Sequence, residues 1–188
     1  MTLQALLKDP TTTMVWSRSA SNEFGRLMDG NKHGVVGTQA MEMIPLSDIP
    51  RDKVITYESM VCDFRPLKKE AHQCHLVVGG DKLPYTSDSA ALATNLIESK
   101  ILFNNDISTK GTKFMTIDMS NFFLSFHMQH PEYMKIHKDN IPQDILDQYY
   151  APQFMDTKGY VYFKISKGMY GLKQAASYIG LKAVKGEP

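Results

Sequence analysis

Asp118 and Phe123 have the residue types and the spacing to do chemistry together. They lie in the run Phe114-Met115-Thr116-Ile117-Asp118-Met119-Ser120-Asn121-Phe122-Phe123. A carboxylate at the end of a strand is held still enough to bind a divalent cation. A hard cation such as magnesium needs few protein carboxylates when a substrate's phosphates supply its other oxygens. A ring one turn beyond the carboxylate would stand beside the sugar of a bound nucleotide. The same residues have a plainer reading. An Asp closing a strand is a turn former or a helix cap, and an aromatic pair behind it is core. Residue type alone leaves both open.

The elements around this run follow from periodicity. Phe114, Met115 and Ile117 with Thr116 read as a buried strand that delivers Asp118. Trp16, Ala20, Glu23, Phe24 and Leu27 fall at helical spacing and predict a helix over 13–28, with Thr12 or Thr13 as cap. Met41 to Leu46 alternates weakly as a strand, and residues 47–52 form a turn. Val54 to Phe64 and Cys74 to Val78 read as two strands, the second ended by Gly79-Gly80. A helix is expected over 87–103 with Leu92, Leu96, Ile97 and Ile101 inward, stopped by Asn104-Asn105-Asp106. Glu132 to His137 reads as a strand, with Tyr133, Lys135 and His137 on one face and Met134 and Ile136 on the other. A helix led by Pro142 buries Ile145, Leu146 and Tyr149. Tyr160 to Ile165 is a further strand, and a last helix starts near Leu172. Strands and helices mix without strict alternation, which predicts an α+β fold.

Composition bounds the function. The chain has 188 residues, 43% hydrophobic and 22% charged, enough for a core and too apolar for a disordered chain. The net charge of +1 neither demands nor excludes a nucleic-acid partner. The charge is uneven: after Tyr160 come Lys164, Lys167, Lys173, Lys182 and Lys185 against the single acid Glu187. Such a stretch is a solvated face or a phosphate-facing stripe. Cys62 and Cys74 give no disulfide framework, and with His72 and His75 they lack the spacing of a zinc site. No secretory signal or membrane span is legible, so an intracellular location, cytoplasmic or nuclear, with reduced thiols is expected.

Four strings, in order, resemble the reverse transcriptases of copia-type LTR retrotransposons. Asp118 with Asn121 and Phe123 is similar to the family's first catalytic motif. Tyr170-Gly171-Leu172-Lys173-Gln174-Ala175 is similar to its template- and nucleotide-contacting motif and is the most specific piece. Val61-Cys62-Asp63-Phe64-Arg65-Pro66-Leu67-Lys68 and Leu76-Val77-Val78-Gly79-Gly80 resemble two successive fingers strands. The likeness spans about residues 13 to 178.

The resemblance implies the fingers and part of the palm of a right-hand polymerase. It divides the chain into an N-terminal helical segment (1–40), a fingers-like region (41–110) and a partial palm (111–188). It implies RNA-directed DNA polymerisation by nucleotidyl transfer, with Mg2+ held by Asp118 and the Met119 carbonyl. Phe123 would exclude the ribose 2′-hydroxyl. Tyr170, Gly171 and Arg65 would contact the nucleotide, and Lys167, Lys173 and Gln174 the primer–template. Deoxynucleotides and an RNA or DNA hybrid are the implied partners. Family members tend to carry basic residues where Gln73 and His75 stand here. The sequence also holds no Asp-Asp pair, so the second acidic motif of such a palm is missing. A fragment inactive alone is therefore expected, unless a separate polymerase half supplies the rest. A non-catalytic nucleic-acid-binding remnant and a small α+β interaction domain are the alternatives.

Overall fold

In a computed structural model, residues 2–68, 70–84, 95–115 and 121–173 are described. Among them, five strands form one mixed sheet. They are β1 (Met41–Ile44), β2 (Ile55–Phe64), β3 (His72–Val78), β4 (His127–His137) and β5 (Tyr160–Lys167), in the order β1-β5-β4-β2-β3. Only the β2–β4 pair is parallel, over Ile55–Tyr57 against Tyr133–Lys135. Wholly within the described residues, four α-helices accompany the sheet: α1 (Leu3–Leu7), α2 (Thr13–Leu27), α3 (Leu96–Ser108) and α4 (Gln143–Gln148). The molecule is a mixed α+β fold. The sheet joins residues 41–44 directly to 160–167, so strands from both ends of the chain share one ladder.

Alternation decides which sheet face is core. Met41, Met43, Met134, Ile136, Val161, Phe163 and Ile165 point one way into the main core, with Phe24 and Leu27 of α2 and Ile145 of α4. On the opposite face, Tyr133 and Tyr162 are buried beneath Ile49, while Lys135 stays half-exposed. Lys135 lies 4.8 Å over the Tyr160 ring. The β4 ladder breaks between His127 and Glu132, where Pro131 has no N–H to donate.

The outer edge of β3 explains a feature of α2 that hydropathy does not. Ser19 and Glu23 are almost wholly buried on the helix's inward face. Ser19 Oγ donates to the His72 carbonyl and accepts from the Cys74 N–H, each at 2.9 Å. Glu23 Oε1 accepts from the Leu76 N–H at 3.1 Å, while its other oxygen is paired with Arg26. Next along the edge, the Val78 N–H donates to the Tyr170 carbonyl at 2.8 Å. Four residues of an otherwise unpaired strand edge are satisfied this way, which removes a template for chance strand pairing.

Two expectations fail. Phe114 and Met115 belong to no strand and are 50% and 75% exposed. Phe114 packs instead on Phe103 of α3, ring centroids 5.0 Å apart. The helix expected to stop at Asn104 runs on to Ser108, opened by a capping box between Asn95 and Glu98. Its Leu96, Ile97 and Ile101 are exposed rather than inward. Periodicity there is genuine, but none of the described elements packs on that stripe to bury it. Leu92 lies outside the described residues. The helix over 13–28 and the strands expected at 41–46, 54–64, 74–78 and 160–165 form within two residues of their predicted bounds, β4 starts five residues before the expected Glu132, and the helix expected from near Leu172 lies almost wholly outside the described residues.

Candidate functional site

The site is built where the chain after β5 returns to the end of β3. Met169 and Leu172 are buried in the main core and anchor the loop on both sides. Tyr170 and Gly171 between them are therefore presented outward, with Tyr170 47% exposed. Gly171 has φ +92°, a left-handed conformation that glycine adopts without a Cβ clash. A Cβ there would be driven into the Val78 carbonyl and would stand 2.8 Å from Val77 Cγ1. A Cβ on Gly80 would likewise meet the Gly171 carbonyl. The two glycines thus let one backbone rest directly on the other.

Three aromatic rings converge beside this contact. Phe123 lies in a 3-10 turn (Phe122–Ser125) whose Leu124 is buried, and its half-buried ring packs against the main core. The turn opens at Asn121, itself left-handed at φ +57°, which an Asn tolerates better than most side chains. The Phe123 ring centroid is 5.9 Å from that of Tyr170, and Tyr170 is 5.8 Å from His75. His75 reaches round the strand edge toward Glu23, with Nδ1 3.6 Å from Glu23 Oε1. The result is a partly exposed aromatic shelf on a rigid backbone platform. Its ring faces suit a planar or sugar-like group.

The expected site residues separate into three groups. Phe123, Tyr170 and Gly171 are brought together. Asp118, Met119 and Gln174 lie outside the described residues. Arg65, Lys167 and Lys173 are placed elsewhere or engaged otherwise. Arg65 sits past Phe64 in the β2–β3 turn, about 20 Å along the strand from Val78. Its Nε donates to Asp63 at 2.7 Å, and that guanidinium holds the exposed Asp63 carboxyl below its ordinary range. Lys167 is half-buried and donates to the Thr38 carbonyl at 2.6 Å. Lys173 is exposed just beyond the shelf. Lys164 is paired with Glu42 at 2.9 Å, while Lys182 and Lys185 lie outside the described residues.

Among the described residues no group of three His, Cys, Asp or Glu side chains is arranged to hold a metal ion. A groove of about 880 Å³ lies away from the shelf, between α2, α4 and residues 70–72. There Ser21 Oγ and His33 Nε2 both bond the same Asp144 oxygen, at 2.6 and 3.0 Å. A hydroxyl and an imidazole that meet on one carboxylate oxygen tie α2 to α4; they do not make a nucleophile and its base.

Sequence reasoning did not foresee the capping roles of Ser19 and Glu23 or the His75–Tyr170 contact. The available signal was two polar residues, four apart, on a helix face that must be buried. No helix among the described residues is long and apolar enough to cross a membrane. The chain matches no protein-family model, no curated protein and no solved structure.

Proposed function

We propose that the chain is a reverse-transcriptase-type polymerase fragment that binds a primer–template and a deoxynucleotide. One observation supports this above the rest: Leu76–Gly80, Phe123 and Tyr170-Gly171 are distant in sequence, each resembles a different family string, and they meet at one shelf. Phe123 would face the sugar of the nucleotide and Tyr170 its base. Asp118 and the Met119 carbonyl, a few residues before Phe123, would hold Mg2+, which would supply the charge neutralisation that nucleotidyl transfer needs. Gln73 and His75, standing where family members tend to carry basic residues, favour a second reading, in which the same surface binds nucleic acid without catalysis.

Primer extension on an RNA template with magnesium and deoxynucleotides tests the first reading. Incorporation that falls on the order of a thousandfold in Asp118→Asn supports it. Binding of a labelled primer–template that weakens steeply with salt, with no incorporation, supports the second. Under either reading Tyr170→Ala weakens binding by about 1–3 kcal/mol, the worth of one stacked base. If the hybrid does not bind at low salt, both readings fall and a small interaction domain remains.

A further inference from the structure

Cys62 and Cys74 lie directly opposite each other on β2 and β3. Both are free thiols, and their sulfurs are 3.4 Å apart. The edge contacts of β3 fix the kind of pair they form. The Cys74 N–H and the His72 carbonyl point outward to Ser19, so Cys74 exchanges no backbone bonds with β2 at this register. Cys62 and Cys74 are therefore a non-hydrogen-bonded antiparallel pair, the closer of the two kinds, with Cα atoms about 4.5 Å apart. That separation lies inside the range of about 4.4–6.8 Å that a disulfide spans.

We propose that Cys62 and Cys74 are a reversible thiol-modification site that closes to a cross-strand disulfide. The reagent class is a small-molecule disulfide such as oxidised glutathione. The two cysteines differ in access, which sets the order of events. Cys62 is half-buried, whereas Cys74 is 1% exposed beneath Leu3, Leu6 and Trp16. Burial also pushes the Cys74 thiol up to about 12, so it is the poorer first nucleophile. The Cys62 thiolate attacks one sulfur of the oxidant and releases one thiol. Cys74 then loses its proton to solvent and attacks the Cys62 sulfur, releasing the second. Overall two protein thiols are oxidised to one disulfide, and one small disulfide is reduced to two thiols. The closed bond would staple β2 to β3 midway between the turn at Arg65, whose N–H donates to the Ala71 carbonyl, and the seat of Tyr170.

The test uses the full chain in glutathione buffers of graded ratio, native and in denaturant, read by intact mass and thiol labelling. The expected native product is an intramolecular disulfide, lighter by two hydrogens. It should form at a ratio of oxidised to reduced glutathione at least about tenfold lower than in the unfolded chain, a difference of about 30 mV. Cys74→Ala should stop at a glutathione adduct on Cys62, and Cys62→Ala should leave Cys74 unlabelled while folded. Two thiols still free at the most oxidising ratio would overturn the proposal. So would a persistent adduct in the unsubstituted chain, or equal ratios for folded and unfolded protein. None of these results bears on polymerase ancestry, so the two proposals stand or fall separately.

Discussion

Gly171 concentrates two separate constraints in one residue. Its φ of +92° excludes most side chains, and its Cα faces the Val78 carbonyl. Gly34 has the first constraint without the second: its φ is +85°, and nothing lies within 4 Å of where a Cβ would stand. Comparing the two glycines separates backbone strain from collision. Gly34→Ala should cost about 1–2 kcal/mol, the left-handed penalty of an L-residue. Gly171→Ala should cost more, on the order of 3 kcal/mol, because the shelf loop must lift off β3. Urea melts of both variants check this. Equal costs would mean that the loop is not seated where the Val78–Tyr170 hydrogen bond places it. A loosened shelf should also weaken hybrid binding in Gly171→Ala, although residue 171 offers no side chain to contact a base.

At the level of elements, hydrophobic period carried most of the legible information. The stripe of Trp16, Ala20, Phe24 and Leu27 located α2 because those positions must be buried together, and all four are. Alternation located the Glu132–His137 part of β4 for the same reason, whereas β5 was bounded by the glycines at 159 and 168. Periodicity fails where burial does not follow, and α3 is the case: its apolar stripe predicts an inward face, yet none of its residues is buried. The aromatic shelf was only partly legible. Phe123 and Tyr170 were singled out one by one, but their meeting depends on β3 and on two glycines in backbone contact, which no local pattern encodes. The polar residues on the buried face of α2 were equally opaque, because their partners are backbone groups some fifty residues away. Those partners make a prediction. Ser19→Ala leaves the Cys74 N–H and the His72 carbonyl without a hydroxyl and should cost about 1–3 kcal/mol. Glu23→Ala should cost more, since it removes the acceptor of the Leu76 N–H and leaves the Arg26 guanidinium only its looser pairing with Glu70 at 3.5 Å; Glu23→Gln, which keeps an acceptor, should cost less than Glu23→Ala. Thermal melts that rank the three otherwise would mean the β3 edge is not held by α2.

Across the whole molecule, one sheet makes distant residues share a single unfolding event, and alkaline pH tests that. Burial pushes the Cys74 thiol from 9.0 up to about 12. Burial, followed by the hydrogen bond its hydroxyl donates to Asp156, pushes Tyr162 from 10.0 to about 12. In both cases the folded chain holds its proton at a pH where the unfolded chain has lost it. The unfolded state then binds fewer protons, and stability falls as pH rises. Both contributions are complete below pH 9; the loss begins with Cys74 above about pH 9, is joined by Tyr162 above about pH 10, and runs toward pH 12. Cys74→Ala should remove the earlier part of the decline and Tyr162→Phe the later part, measured by denaturant melts under reducing conditions. The two residues sit on β3 and β5, three strand steps or about 14 Å apart, too far to touch. In a two-state molecule their effects on the pH slope should therefore add. A double variant whose profile is no flatter than that of either single one would mean that β3 and β5 do not unfold together, and that the sheet is two cooperative units rather than one.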